Sequence, residues 1–250
     1  MTSVVLITGA SSGLGEGMAW EFAARGYNLA LCARRQEQLE QLQAAIRQAH
    51  PSVDVRIQTL DVNDHDAVFR VFDAFNEQFG RLDRVLVNAG IGKGQPLGTG
   101  RFDANRETAE TDFVAALAQF EAAMSIFRRQ GHGHLVAVSS ISAVRGMPGN
   151  MTVYGATKAG VASLAEGLRV ELRKKRLPIR VTTLLPGYIL TAINEDVKNA
   201  PFRVDRETGC RAMVAAIEKE KKVACVPPWP WTPIAFLLRR LPESLLARMF

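Results

Sequence analysis

The chain has 250 residues, of which 47% are hydrophobic and 22% charged, and a formal net charge of +6. That length allows one large α/β domain or two small ones with a sizeable core. The three cysteines and four histidines are too scattered for a disulfide framework or a metal site, the basic excess forms no single block that would bind nucleic acid, and no apolar run approaches the length that spans a bilayer.

Residues 3–8 form a short apolar run that ends at a glycine-rich turn, which reads as a buried parallel strand. Because a strand begins there, no signal peptide is expected, and the chain is expected to be cytoplasmic with reduced thiols. Thr8-Gly9-Ala-Ser-Ser-Gly13-Leu-Gly15 precedes a helical pattern over 16–25. Strand, glycine turn and helix in that order suit a dinucleotide. The glycines admit the backbone close to a pyrophosphate, and the helix N-terminus offers N–H donors and a favourable dipole. The candidates on this loop are Gly9, Ser11, Ser12, Gly13, Leu14 and Gly15, at a spacing that differs from the general G-x-G-x-x-G fingerprint. A second strand over 28–33, with Cys32 as a small core residue, ends in Arg34-Arg35. An acidic residue at that point would bind a ribose 2′-hydroxyl, whereas arginine matches a 2′-phosphate in geometry and charge. NADP(H) is therefore expected over NAD(H), unless the arginines only open the next helix, over 36–48.

Residues 53–60 alternate as a third strand, with Asp61-Val62 at its C-terminal end, where open α/β sheets bind ligands. A helix over 64–79 leads to a strand over 83–87 that ends in Asn88-Ala89-Gly90. Residues 91–100 read as a loop, and a long helix runs from about 103 to 129. The strand over 133–138 ends in Ser139-Ser140; His132 and His134 at its entry read as structural. The tract 146–150 is loop-like, and a helix runs over 153–175 toward a basic end at 169–180, where Lys and Arg suit the dipole of a solvated terminus. The strand over 179–184 leads to Pro186-Gly187. This alternation predicts an α/β, Rossmann-like, doubly wound parallel sheet with helices on both faces, in one domain over 1–250.

Tyr154 and Lys158 lie four residues apart on a helix, so their side chains share one face. A free tyrosine has a pKa of about 10, and an ammonium one turn away favours the phenolate. Moving that pKa down by about 3 units takes roughly 4 kcal/mol of differential stabilisation. Such a tyrosine is a usable acid and base; alone, the pair also fits two unrelated residues of an amphipathic helix.

Together these residues resemble the short-chain dehydrogenase/reductase family, from Val4 to about Thr191. The glycine loop resembles the family's cofactor loop, Asp61 its adenine-contacting acid and Asn88-Ala89-Gly90 its N-A-G segment. Ser140, Tyr154 and Lys158 match its catalytic Ser, Tyr and Lys. Pro186, Gly187, Ile189 and Thr191 resemble its nicotinamide-side loop. The resemblance implies about seven strands, an NAD(P) cofactor, a small carbonyl or alcohol substrate and a homodimer or homotetramer. It also implies a mechanism, in which Ser140 and Tyr154 hydrogen-bond the carbonyl oxygen, the nicotinamide delivers hydride, Tyr154 supplies the proton, and Lys158 holds the ribose and depresses the Tyr pKa.

The family usually has an asparagine where this chain has Asp112, with Asn105 too far upstream to replace it. An ionised Asp112 near Lys158 would partly cancel the pull of the ammonium on Tyr154, unless the backbone alone does the work there. Residues 188–204 fall where the family has its substrate lid. Tyr188, Ile189, Leu190, Ile193 and Phe202, with Met147 and Met151, favour a lipophilic carbonyl substrate, while Arg145 could steer an anionic one. Residues 224–226 suit a last strand. In the apolar tail over 227–250, Pro227, Pro228, Pro230 and Pro233 exclude a helix through that run. Beyond it, Phe236, Leu237, Leu241, Leu245 and Leu246 follow helical spacing. That face would pack on the body or a partner subunit, or else lie on a membrane surface with its arginines toward anionic headgroups. The leading expectation is an NADP(H)-dependent carbonyl reductase or alcohol dehydrogenase. The alternative is a low-turnover NADP(H)-sensing protein on the same scaffold. An epimerase or dehydratase of the extended branch is not expected, because too little chain follows Pro186 for its substrate domain.

Overall fold

The computed structural model describes residues 2–192 and 200–249. Among them, seven parallel strands form one sheet, β1 (Val4–Thr8), β2 (Asn28–Ala33), β3 (Val55–Thr59), β4 (Arg84–Val87), β5 (Gly133–Val138), β6 (Ile179–Pro186) and β7 (Val223–Val226). Their order is β3-β2-β1-β4-β5-β6-β7, so the winding reverses between β1 and β4. The helices are α1 (Gly13–Ala23), α2 (Gln36–Ala49), α3 (His65–Phe79), α4 (Phe102–Ala109), α5 (Ala115–Gln130), α6 (Met151–Lys174), α7 (Arg206–Glu218), α8 (Pro228–Leu238) and α9 (Glu243–Met249).

The strands are buried on both faces, which is why they read as near-continuous apolar runs. Val4 and Leu6 enter one core, with Phe72, Phe75 and Phe127 from α3 and α5. Val5 and Ile7 enter the other, with Met18, Phe22 and Ile46 from α1 and α2. Each fully buried Val, Leu or Ile contributes about 1.5–3 kcal/mol, so these two layers hold the sheet. Local chemistry sets several helix ends. Asp64 accepts from Ala67 N at the start of α3, and Gly80 ends that helix in the left-handed region at φ 75°.

Several boundaries differ from the sequence expectation. The helix expected over 16–25 starts at Gly13, inside the glycine loop. Val53 is buried but lies outside the third strand, because its N–H donates to His50 O in the turn after α2. The helix expected from 103 to 129 is broken by a π-helical turn at Glu110–Val114 between α4 and α5. α7 was not anticipated, although Asp205 accepting from Thr208 N is an N-cap legible in the sequence.

The prolines of the tail do not exclude a helix. Pro228 stands at the start of α8, and Trp229 has non-helical φ/ψ (−103°, 133°). Pro233 lies four residues after Trp229, so the N–H it lacks would have faced a carbonyl already outside the helical ladder. Trp231, Ala235 and Leu238 form the buried face of α8, which packs on β7. Nor do the leucines of the tail share one helix, because Pro242 separates α8 from α9. Trp229, Phe236 and Leu237 stay exposed. No helix among the described residues is long and apolar enough to cross a membrane.

Candidate active site

The crevice lies at the C-terminal edge of the sheet, where the winding reverses. Thr8, the last residue of β1, ties the two sides of that reversal together. Its hydroxyl accepts from Asn88 N at 3.0 Å and Ala89 N at 3.1 Å and donates to Leu86 O, while Asn88 Nδ2 donates to Thr8 O at 2.8 Å. Gly9 follows at φ +64°, and a Cβ there would sit 2.9 Å from Ala89 Cα. Only glycine suits both the left-handed turn and that approach. Gly15 packs under the carbonyl of Gly9 and so shapes the loop from behind.

A cleft of about 370 Å³ opens above these residues. Gly9, Ser11, Ser12, Gly13 and Leu14 line its loop side. Arg34, Arg35, Asp61 and Val62 line the end next to β2 and β3, and Asn88, Ala89 and Gly90 line the middle. Ser140, Tyr154, Lys158, Pro186, Gly187, Ile189 and Thr191 line the far end. Gly15 and Asp112 are absent from this wall. The lining also includes Asn63, Ile91, Thr111 and Ser139, which the sequence reading missed. Ser139 directly follows a predicted strand and Asn63 directly follows the Asp61-Val62 pair, and that adjacency was the available signal.

Arg35 arches over the glycine loop, with Nη2 donating to Ser11 Oγ at 3.0 Å and Ser12 Oγ at 2.6 Å. A guanidinium and two hydroxyls thus converge beside the end of β2, where no carboxylate follows the strand. The cradle suits a phosphate-bearing dinucleotide: a backbone with no Cβ to obstruct it, a helix N-terminus and a cationic end.

At the other end, α6 carries Tyr154 and Lys158. Lys158 Nζ lies 5.6 Å from the centroid of the Tyr154 ring. Ser139 donates its hydroxyl proton to Lys158 O at 2.7 Å, joining the end of β5 to α6. Ser140 is buried at the start of a 3-10 turn (Ile141–Val144), and its hydroxyl accepts from Ser142 N. Burial pushes the Tyr154 phenol above its ordinary pKa and the Asp112 carboxylate raises it further, while the Lys158 ammonium and a hydrogen bond with Ser140 pull it down. The net direction is upward, opposite to the expectation from Lys158 alone. Asp112 stands on the π turn, buried, with Oδ2 3.6 Å from Lys158 Nζ. Asn105 is occupied elsewhere, its Oδ1 accepting from Gln95 N.

Behind Gly187, at the far end of the cleft, the packing is aromatic. Trp231 of α8 meets Tyr188 at 5.9 Å and Phe202 at 6.1 Å between ring centroids. Its indole lies where a Cβ on Gly187 would be, so the tail packs directly on the end of β6. The two ends of the expected lid are joined, with Leu190 N donating to Val204 O and Val204 N to Tyr188 O. Ile193 and the rest of 193–199 lie outside the described residues. His134 sits at the opposite end of β5, buried against Thr182 Oγ1 at 2.8 Å, in the structural place expected for it.

A glycine loop at the switch point of a parallel sheet, sharing one cleft with a serine, a tyrosine and a lysine, is the build of a dinucleotide-using oxidoreductase. The short-chain dehydrogenase family model matches residues 3–201, and the chain belongs to that family. It is 50% identical over 244 residues to an uncharacterized oxidoreductase of Mycobacterium tuberculosis, covering 98% of this chain and 96% of that one. It is 37% identical over 216 residues to the levodione reductase of Leifsonia aquatica, covering 84% and 76%. The structure of an alcohol dehydrogenase from the archaeon Thermococcus sibiricus, complexed with 5-hydroxy-NADP, superposes with a TM-score of 0.79 at 25% identity, covering 90% of this chain and 96% of that one.

Proposed function

We propose that this oxidoreductase uses NADP(H) to interconvert a lipophilic carbonyl compound and its alcohol. The convergence of Ser140, Tyr154 and Lys158 at one end of the cleft whose other end carries Arg35, Ser11 and Ser12 carries this reading. The names of two relatives, a levodione reductase and an alcohol dehydrogenase solved with 5-hydroxy-NADP, support the same chemistry.

The glycine loop, Arg34, Arg35 and Lys158 would hold the cofactor, which would supply or accept the hydride. The chain does the rest. Ser140 and Tyr154 hydrogen-bond the substrate oxygen as negative charge develops on it, and their fixed positions make that stabilisation inexpensive at the moment of reaction. In the reducing direction Tyr154 gives its proton to that oxygen; in the oxidising direction its phenolate takes one. Tyr188, Phe202 and Leu190 supply an apolar surface beside Gly187, Phe202 being 58% exposed and Leu190 43%. That surface favours a lipophilic substrate. Val114 on the π turn, Leu117 on α5 and Val170 on α6 leave apolar surface exposed, consistent with a homodimer or homotetramer built through these elements.

Tyr154→Phe tests the reading. Over a panel of ketones, aldehydes and alcohols followed by cofactor absorbance, kcat is expected to fall by roughly 100- to 10,000-fold. NADPH affinity should be nearly unchanged, because one hydroxyl is removed and little volume. Substantial residual turnover would show that Tyr154 is not the acid. NADPH binding with no turnover of any panel member by the unmodified protein would favour the sensing reading.

A further inference from the structure

Tyr154, Lys158 and Asp112 form a line of three ionisable groups, and the third is held as firmly as the other two. Asp112 belongs to the π turn at Glu110–Val114. This turn packs on α6 through Phe113, whose ring lies against Gly160; a Cβ there would be 2.8 Å from Phe113 Cε2. That contact, two residues past Lys158, fixes the register in which Asp112 meets the lysine. Asp112 Oδ1 accepts from Ile91 N at 2.7 Å, which leaves Oδ2 buried, without a hydrogen-bond donor, 3.6 Å from Lys158 Nζ. Gly90 leaves room for the pair, since a Cβ there would lie 3.0 Å from both Asp112 Oδ1 and Lys158 Nζ.

We propose that Asp112 is a positioning residue that serves Lys158 as its counter-ion, holds Tyr154 as the protonated phenol and so sets the site for carbonyl reduction. This rests on Tyr154 being the acid of the proposed reaction. A lone ammonium beside the phenol would favour the phenolate; an ammonium already neutralised by a carboxylate favours it less. The side chains whose charge acts on Tyr154 are Lys158 and Asp112, and burial of the phenol works in the same direction as Asp112. On the surrounding elements, Lys93 pairs with Glu107 and Arg106 with Glu110 at the surface, and Asp61 is exposed at the other end of the cleft. A phenol that stays protonated through neutral pH is loaded to give its proton to a carbonyl oxygen. Alcohol oxidation draws on the scarce phenolate and therefore gains with rising pH.

The chain has three tyrosines, so Tyr27→Phe with Tyr188→Phe leaves Tyr154 as the only phenol. Its ionisation can then be followed by ultraviolet phenolate absorbance, without any substrate. Added to that background, Asp112→Asn keeps an oxygen for Ile91 N and removes the charge. The phenolate should then appear about 1–2 pH units lower. In the otherwise unmodified enzyme, Asp112→Asn should shift the rise of alcohol oxidation with pH, and the alkaline fall of carbonyl reduction, down by the same amount. Asp112→Ser, which also removes the charge, should agree, and it replaces Asp112→Asn if that variant does not fold. An unmoved or upward-moving phenolate titration in the folded variants would overturn the proposal. Failure of Tyr154→Phe to lose activity would instead overturn the catalytic reading and leave the titration standing.

Discussion

Arg35→Ala removes a guanidinium that holds both serines of the glycine loop, at 3.0 Å from Ser11 Oγ and 2.6 Å from Ser12 Oγ. If those three groups receive the 2′-phosphate, the substitution deletes a charge-assisted hydrogen bond worth about 1.5–3 kcal/mol. At about 1.4 kcal/mol per decade, this is roughly a 10- to 150-fold loss of NADPH affinity. Arg35 is exposed, so solvent and salt screen it, and the lower end of that range is expected near physiological ionic strength. The loss should grow as salt is reduced. NADH lacks the phosphate and should bind within about twofold of its original affinity, because the glycine loop and Lys158, which would hold the rest of it, are left in place. Titrations of both cofactors by protein fluorescence, at two ionic strengths, read all four quantities. Equal weakening of NADPH and NADH would mean that Arg35 merely holds the loop in shape. No weakening of either, in Arg35→Ala and in Arg34→Ala, would remove the NADP preference altogether.

Burial depresses the His134 imidazole to about 3, helped by Arg84 and Arg180, whereas an unfolded histidine titrates near 6.5. The unfolded chain therefore binds the extra proton, and the stability present above about pH 6.5 is lost toward pH 3 at about 1.4 kcal/mol per pH unit. His134→Gln should flatten that part of the stability curve in denaturant titrations at several pH values, and an unchanged slope would count against a buried neutral imidazole. Trp231→Ala, at a 4% exposed site with Tyr188 and Phe202 against the ring, should cost about 3–5 kcal/mol and raise KM for the bulkiest lipophilic substrate. A variant that kept both its melting temperature and its KM would show that the tail neither supports β6 nor walls the substrate side.

The sheet was legible because its strands are buried on both faces, so that runs such as Val4 to Ile7 admit no polar residue at all. The cleft was legible for a related reason. Chemistry at a parallel sheet edge must come from residues just past each strand, and Gly9, Arg34, Asp61, Asn88, Ser140 and Gly187 all stand there. What the sequence hid depends on contacts distant along the chain. The π turn has no local signature, and Phe113 seating on Gly160 is visible only once two helices are packed. Spacing likewise places Lys158 beside the Tyr154 phenol but does not report the partial burial of that phenol in the cleft wall, which works in the opposite direction. In the tail the error came from a local rule applied without its condition. Proline breaks a helix by denying it an N–H, and in α8 the affected carbonyl had already left the ladder at Trp229.

Three departures from ordinary structural rules lie close together in this chain. A left-handed Gly9, a π turn in the middle of a long helix, and a buried carboxylate oxygen with no hydrogen-bond donor all border the cleft or the lysine within it. None of these stabilises the fold. A buried ion pair gains little or nothing over apolar residues of the same shape, because desolvation offsets its attraction. The π turn gives up regular helical hydrogen bonding, and Gly9 gives up conformational entropy. The two apolar layers, anchored by aromatic side chains such as Phe22, Phe72, Phe75 and Phe127, stabilise the protein enough to hold these features in place. These three features sit at the C-terminal edge of the sheet, beside the cleft, while the two apolar layers run along the strands. Features of this kind beside a cleft are expected where geometry has been set for chemistry rather than for stability. It is also why Asp112, which neither lines the cleft nor belongs to the core in any apolar sense, is most simply understood through Lys158.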